Sequence, residues 1–130
     1  MKKVIAAILS LHFILAFNCN KPINDNCLSY KIAPVSNINV PATGQVNTSI
    51  PIPISYNISN GCGHFHALED FAQGNNINVT IYAKYEGCIC TMNFSTLDTV
   101  YNFTPRATGT YYLNFRQSDS SYISDTINIQ

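Results

Sequence analysis

The residue types able to do fixed chemistry gather between positions 62 and 90. Cys62, His64 and His66 are followed, after a long interval, by Cys88 and Cys90, which together make up three of the five cysteines and two of the three histidines. In an exported protein such thiols are normally oxidised to structural bridges. Cys88 and Cys90 stand two apart on what reads as extended chain, too far apart and too parallel to bond each other easily, so each needs a distant partner. Pairing Cys62 with Cys90 and Cys27 with Cys88 is favoured, although four cysteines allow three connectivities. The alternative is a metal site built from Cys62, His64, His66, Cys88 and Cys90, because thiolate and imidazole suit zinc and copper. That would make a periplasmic metal-binding or redox protein. Its geometry depends on residues 62–66. If they are extended, the three side chains converge; in a helical turn, His64 and His66 diverge by about 200° at about 100° per residue. Phe65, Leu68 and Ala72, three and four apart, predict one or two helical turns over Ala67–Gln73. Two bridges would consume every thiol in the set, so no cofactor or metal is expected.

Catalysis finds little to use. Cys62 lies close to His64 in sequence, but a nucleophile also needs a free thiol and an activating geometry. Glu69 and Asp70 are adjacent, face different ways and form no carboxylate pair. The chain has no glycine-rich phosphate loop, serine elbow or metalloprotease motif. A non-enzymatic protein is expected.

The elements that position these residues read as strands. The 130 residues are 46% hydrophobic, with eight Tyr and seven Phe to build a core, and only 11% charged, which excludes a disordered chain or a charged helical bundle. Polarity comes instead from Asn, Ser and Thr, residues at home on strand faces and in turns. Tyr30–Val40 reads as a first strand broken by Pro34, and Pro41–Gly44 as a turn. Ile50, Ile52, Ile54, Tyr56 and Ile58 alternate with polar residues and prolines, predicting a strand with one buried face. Pro51 and Pro53 lack a backbone donor, so the first half of that strand must lie at an edge or pair on one side only. The clearest strand runs from Ile77 to Tyr85, and others cover Leu97–Phe103, Thr110–Arg116 and Ile123–Ile129. About seven strands in about 100 residues predict one all-β domain, an antiparallel β-sandwich over residues 27–130.

Gly109-Thr110-Tyr111-Tyr112-Leu113 resembles the start of strand F in immunoglobulin-like domains. The resemblance implies an immunoglobulin-like sandwich in which Tyr111 is a corner tyrosine, its hydroxyl tied to the backbone just upstream, and Leu113 replaces the usual second cysteine. The chain lacks the tryptophan that such domains pack against their inter-sheet bridge. Tyr82 and Tyr112, opposite the core positions, are either a binding surface or cross-strand pairs that stiffen a sheet.

The N-terminus reads as an export signal. Met1-Lys2-Lys3 precedes an apolar run from Val4 to Phe17 that is shorter than the about 20 residues of a membrane helix. Leu15-Ala16-Phe17-Asn18-Cys19 then resembles a bacterial lipobox, with Leu15 four places before the cysteine where three is usual, and Asn18 where a small residue is usual. The start, the polar stretch after it and the Asn-rich body resemble small lipoproteins of Bacteroidetes-type bacteria. The resemblance implies a signal over residues 1–18, a lipid on Cys19, a flexible tether over 19–26 and an exported, lipid-anchored protein of the cell envelope, at the outer membrane. Removing Cys19 leaves an even set of cysteines, Cys27, Cys62, Cys88 and Cys90. Cleavage would also remove Lys2 and Lys3, leaving five of the seven Lys and Arg residues against seven Asp and Glu. No basic stripe is present, so nucleic acid is not an expected partner. The expected partners are the membrane, through the lipid, and an envelope protein or glycan. Asp98-Thr99-Val100 and Asp125-Thr126-Ile127 are similar to the sites at which such bacteria attach O-linked sugars, which implies Thr99 and Thr126 as modification sites.

Overall fold

The computed structural model describes residues 27–130. The signal segment, Cys19 and the tether lie outside the described residues. Nine strands follow one another, β1 (Leu28–Ile32), β2 (Val35–Ile38), β3 (Thr43–Gly44), β4 (Ile50–Ile58), β5 (Gly63–Gln73), β6 (Asn76–Glu86), β7 (Ser95–Phe103), β8 (Gly109–Arg116) and β9 (Tyr122–Ile129). No helix occurs among the described residues. One sheet has the order β1-β6-β8-β9-β3 with β5 also paired to β6, and the other has the order β2-β4-β7. The fold is the expected all-β sandwich.

Alternation makes the core. Ile50, Ile52, Ile54, Tyr56 and Ile58 of β4 are buried and face Ile77, Val79, Ile81, Ala83 and Tyr85 of β6, with Leu113, Phe115, Ile127 and Ile129 completing the far sheet. Each such side chain contributes about 1.5–3 kcal/mol when fully withdrawn from water. Pro51 and Pro53 fall on the outer face of β4, opposite Asn102 and Val100 of β7. The Pro53 carbonyl accepts from the Asn39 N–H, so the ladder groups of this proline point away from β7. Strand β2 is in register with β4 only from Ile54 to Tyr56, leaving the first half of β4 paired on one side as the prolines require. Pro34 marks a change of sheet: the Ala33 N–H donates to Ile81 in one layer, and the Pro34 carbonyl accepts from Asn57 in the other.

Strand β6 occupies the centre of its sheet. Strand β5 runs antiparallel along one edge, and the other edge is shared by β8 against Asn76–Val79 and β1 against Tyr82–Glu86. The β6/β8 and β3/β9 pairings are parallel, and all others are antiparallel. Parallel neighbours need a crossover, which β7 supplies by carrying the chain through the opposite sheet between β6 and β8.

The helical turns expected over Ala67–Gln73 are replaced by β5. Its register slips by one between Phe65 and Ala67, which makes His66 the extra residue of a β-bulge. Core-side positions before and after the bulge are therefore Phe65, Leu68 and Ala72, opposite Ala83, Ile81 and Ile77. The three-residue step that mimicked a helix is the bulge. Gly74, at φ 62, heads the two-residue turn into β6, a place where glycine costs no steric strain. Strand β5, the short β3 and the division of the first strand into β1 and β2 add three to the six segments delimited in the sequence and make the nine strands observed.

Candidate functional site

Chemistry-bearing residues collect at the two ends of the sandwich. At the end where β1 begins and β6 finishes, Cys27 is bonded to Cys88 and Cys62 to Cys90, with α-carbons 4.8 and 5.5 Å apart. This is the favoured pairing. Backbone bonds reinforce it: the Gly87 N–H donates to Cys27 (2.9 Å) and the Gly61 N–H to Thr91 (2.9 Å). Gly87 has φ +145, and a β-carbon there would stand 2.8 Å from the Cys62 sulfur, so the bridge needs this glycine twice over.

These bridges correct the alternative metal set. Cys62, Cys88 and Cys90 are disulfide sulfurs, which lack the thiolate charge that binds zinc or copper. His64 faces Lys84 in the β5/β6 register, while the His66 ring lies 4.5 Å from that of Tyr30 on β1. Among the described residues no three His, Cys, Asp or Glu side chains group as a metal site would require. The five residues are neighbours, but the structure does not aim them at one point.

At the opposite end the Tyr111 hydroxyl donates to the carbonyl of Ala107 at 3.1 Å, four residues upstream. That is the corner geometry implied by the strand F resemblance. Beside it lies a cleft of about 450 Å³, with Ile77, Phe103 and Tyr111 as apolar and aromatic walls and Asp70, Tyr101 and Arg106 as polar groups. The Tyr101 hydroxyl donates to Asp70 Oδ2 at 2.6 Å. Burial first, and the carboxylate second, push the Tyr101 pKa far above its ordinary value, so it remains a protonated donor at any physiological pH. Asp70 comes from β5, Tyr101 from β7 and Arg106 from the turn after it. Sequence reasoning missed this group because it placed Asp70 within the helical turns expected over Ala67–Gln73. The Gly74-Asn75 pair between two apolar runs is the hairpin signal that could have placed Asp70 on a strand.

The other expected positions are separated from both ends. Thr126 is exposed, and its N–H donates to the Asp125 carboxylate at 2.8 Å. Thr99 sits opposite buried Ile54 on the core-facing row of β7, where the folded chain partly screens it. Tyr82 is half-buried on the outer face of β6, and Tyr112 is exposed opposite Thr126.

A family model described as the ORF11 beta-sandwich domain matches residues 52–129. The chain belongs to this family. The match runs from β4 to β9 and takes in the whole Cys62–Cys90 bridge, the corner tyrosine and the cleft, while β1 to β3 and Cys27 precede it. No curated protein and no solved structure matches the chain significantly.

Within the family domain, the corner offers a direct measurement. Tyr111→Phe keeps the ring against Phe103, 5.2 Å away, and deletes only the hydroxyl. It should cost about 1 kcal/mol, or somewhat more because the Ala107 carbonyl loses its donor, as read from the urea midpoint. An unchanged midpoint would show that the hydroxyl bond does not hold the turn.

Proposed function

We propose that this protein is a lipid-anchored, non-catalytic binding module of the bacterial cell envelope, held at the outer membrane by Cys19, with the cleft beside Tyr101 as its binding site for an envelope glycan. The observation that carries the reading is the polarity of the domain. Residue Cys27, through which the preceding segment joins the sandwich, is bridged to Cys88 at one end, and the cleft opens at the other. An anchor on Cys19 would therefore present the cleft away from the membrane. Two disulfides support an oxidising compartment outside the cytoplasm.

The chemistry of the cleft favours a polar ligand. Phe103 and Tyr111 form a largely buried aromatic floor, while the carboxylate of Asp70, oriented by the Tyr101 hydroxyl, and the exposed guanidinium of Arg106 offer hydrogen bonds. One carboxylate already bonded to a tyrosine lacks the second group that acid–base chemistry needs, so the arrangement holds a ligand rather than transforms it.

Two substitutions test the reading. Cys19→Ser should move the protein from the membrane fraction to the soluble periplasm or stop its processing, because the acyl chains have no other attachment point. Membrane retention unchanged by that substitution would remove the anchor. For the cleft, Arg106→Ala should weaken binding of soluble envelope glycan fragments by about ten- to a hundredfold, the loss of one charged hydrogen bond. Binding indifferent to Arg106→Ala would remove the cleft as the site.

A further inference from the structure

The disulfide-tied end carries a second feature that the cleft does not use. Between Gly87 and Phe94 the chain exposes three large apolar side chains, Ile89 at 96%, Met92 at 86% and Phe94 at 77% of full exposure. Isolated surface hydrophobes need no explanation, but three within six residues on one short loop do. The loop is also held rigid. Cys88 is bonded to Cys27 and Cys90 to Cys62, and the Thr91 carbonyl accepts from both Gly61 and Asn93. The backbone that carries these side chains is thus held out in water, at a cost that the core, already filled by other residues, does not recover.

We propose that the loop from Gly87 to Phe94 is a membrane-contact site, with Ile89, Met92 and Phe94 seated in the interface of a phospholipid bilayer. The direction of approach rests on the anchored reading above. Only seven residues separate Cys19 from Cys27 in the chain, and a link of that length reaches at most about 25–30 Å when extended. Cys27 is itself bonded to the first cysteine of the loop, so a lipid on Cys19 brings this end of the sandwich to the bilayer rather than the end with the cleft. Charge points the same way. From Gly87 to Leu97 there is no acidic or basic residue that would have to enter the interface, and Phe94 shares an apolar cleft of about 340 Å³ with Lys31, a cation suited to lipid phosphates. Seating the tip fixes the height and tilt of the domain, which a lipid on Cys19 alone would not. It would hold the binding cleft facing outward.

The chain contains no tryptophan, so one can be introduced as the sole indole and excited selectively over the eight tyrosines. Phe94→Trp replaces one exposed ring by another, and Phe71→Trp, at a site 67% exposed on β5, serves as the control. Each purified variant is placed in phosphatidylethanolamine/phosphatidylglycerol vesicles containing lipids brominated along the acyl chain. A seated tip lies about 5–10 Å into the interface, so indole emission from the Phe94→Trp variant should shift to the blue and be quenched at least about twofold more than that from Phe71→Trp. Equal, water-like emission from the two variants overturns the proposal. So does a blue shift in Phe94→Trp that brominated lipid fails to quench, which would place the tip against protein instead. The mass of the N-terminal peptide decides the anchor separately. If Cys19 carries no lipid, quenching of the Phe94→Trp variant on mixing with vesicles still supports the contact site, whereas a lipidated Phe94→Trp protein whose emission stays unquenched refutes the site and leaves the anchor standing.

Discussion

Removing Cys27–Cys88 by double substitution to alanine should lower the unfolding free energy by about 4 kcal/mol, and reducing both bridges should lower it further. The Cys27–Cys88 bond spans 61 residues of sequence and Cys62–Cys90 spans 28. If the bonds act by restricting the unfolded chain, loops of those lengths are worth about 4 and about 3.5 kcal/mol. With Cys62–Cys90 intact, the shortest route from Cys27 to Cys88 still runs through the 35 residues that separate Cys27 from Cys62 and the two that separate Cys90 from Cys88, so most of the Cys27–Cys88 effect should remain. Against a total of about 5–15 kcal/mol for a domain, the loss is large but leaves a folded protein, because the alternating rows of β4, β6 and β8 bury their core without help from sulfur. Urea unfolding of oxidised and reduced protein is the measurement. A midpoint unmoved by reduction would mean that the bridges fix only the loop and contribute nothing to the domain.

The parts of the molecule legible in the sequence are the strands with one face in the core. Strands β4, β6 and β8 alternate apolar and polar residues without interruption, because each has one face in the core and one in water, and period two is then forced on the side chains. The prolines of β4 were legible for a related reason, since a missing donor restricts where a strand can pair. Strand β5 was not legible. Its bulge at His66 shifts the core-side positions by one residue, and the resulting spacing of Phe65, Leu68 and Ala72 has the same form as a helical stripe. Short β3 is held by parallel pairing to β9, at Asn128 and Ile129, far along the chain, so nothing local announces it.

The sites divide along the same line. Tyr111 was legible because the corner is a local motif, with its partner only four residues away. The cysteines were legible as residue types and as an even set, while their connectivity depended on where the intervening strands carry the chain. The cleft was invisible. Asp70, Tyr101 and Arg106 meet only because β5 and β7 sit at neighbouring edges of the two sheets, a relation that no periodicity encodes. Phe115 was legible as a core residue from the alternation of β8, whereas Phe94, exposed on the tied loop between Asn93 and Ser95, lies in no such pattern.

Phe115 supplies the other large expected effect. Its side chain is fully buried, and its ring meets that of Tyr101 edge-on with centroids 6.1 Å apart. Phe115→Ala should destabilise by about 3–5 kcal/mol, the sum of the lost transfer energy and the cavity left between sheets that cannot close fully over it. Phe115→Leu keeps most of the volume and should cost less than about 1.5 kcal/mol if neighbouring side chains repack. The contrast between the two variants separates loss of packing from loss of the aromatic contact. A second consequence reaches the cleft, because Tyr101 is held on one side by Phe115 and on the other by its hydrogen bond to Asp70. With the ring contact gone, Tyr101 can tilt, and the Asp70 carboxylate loses the partner that orients it. Phe115→Ala should therefore also weaken ligand binding at a site it does not line, under conditions where the variant remains folded. A stability loss under about 1 kcal/mol would show that the sheets collapse onto the cavity, and intact binding in the destabilised variant would show that Asp70 is positioned by β5 alone.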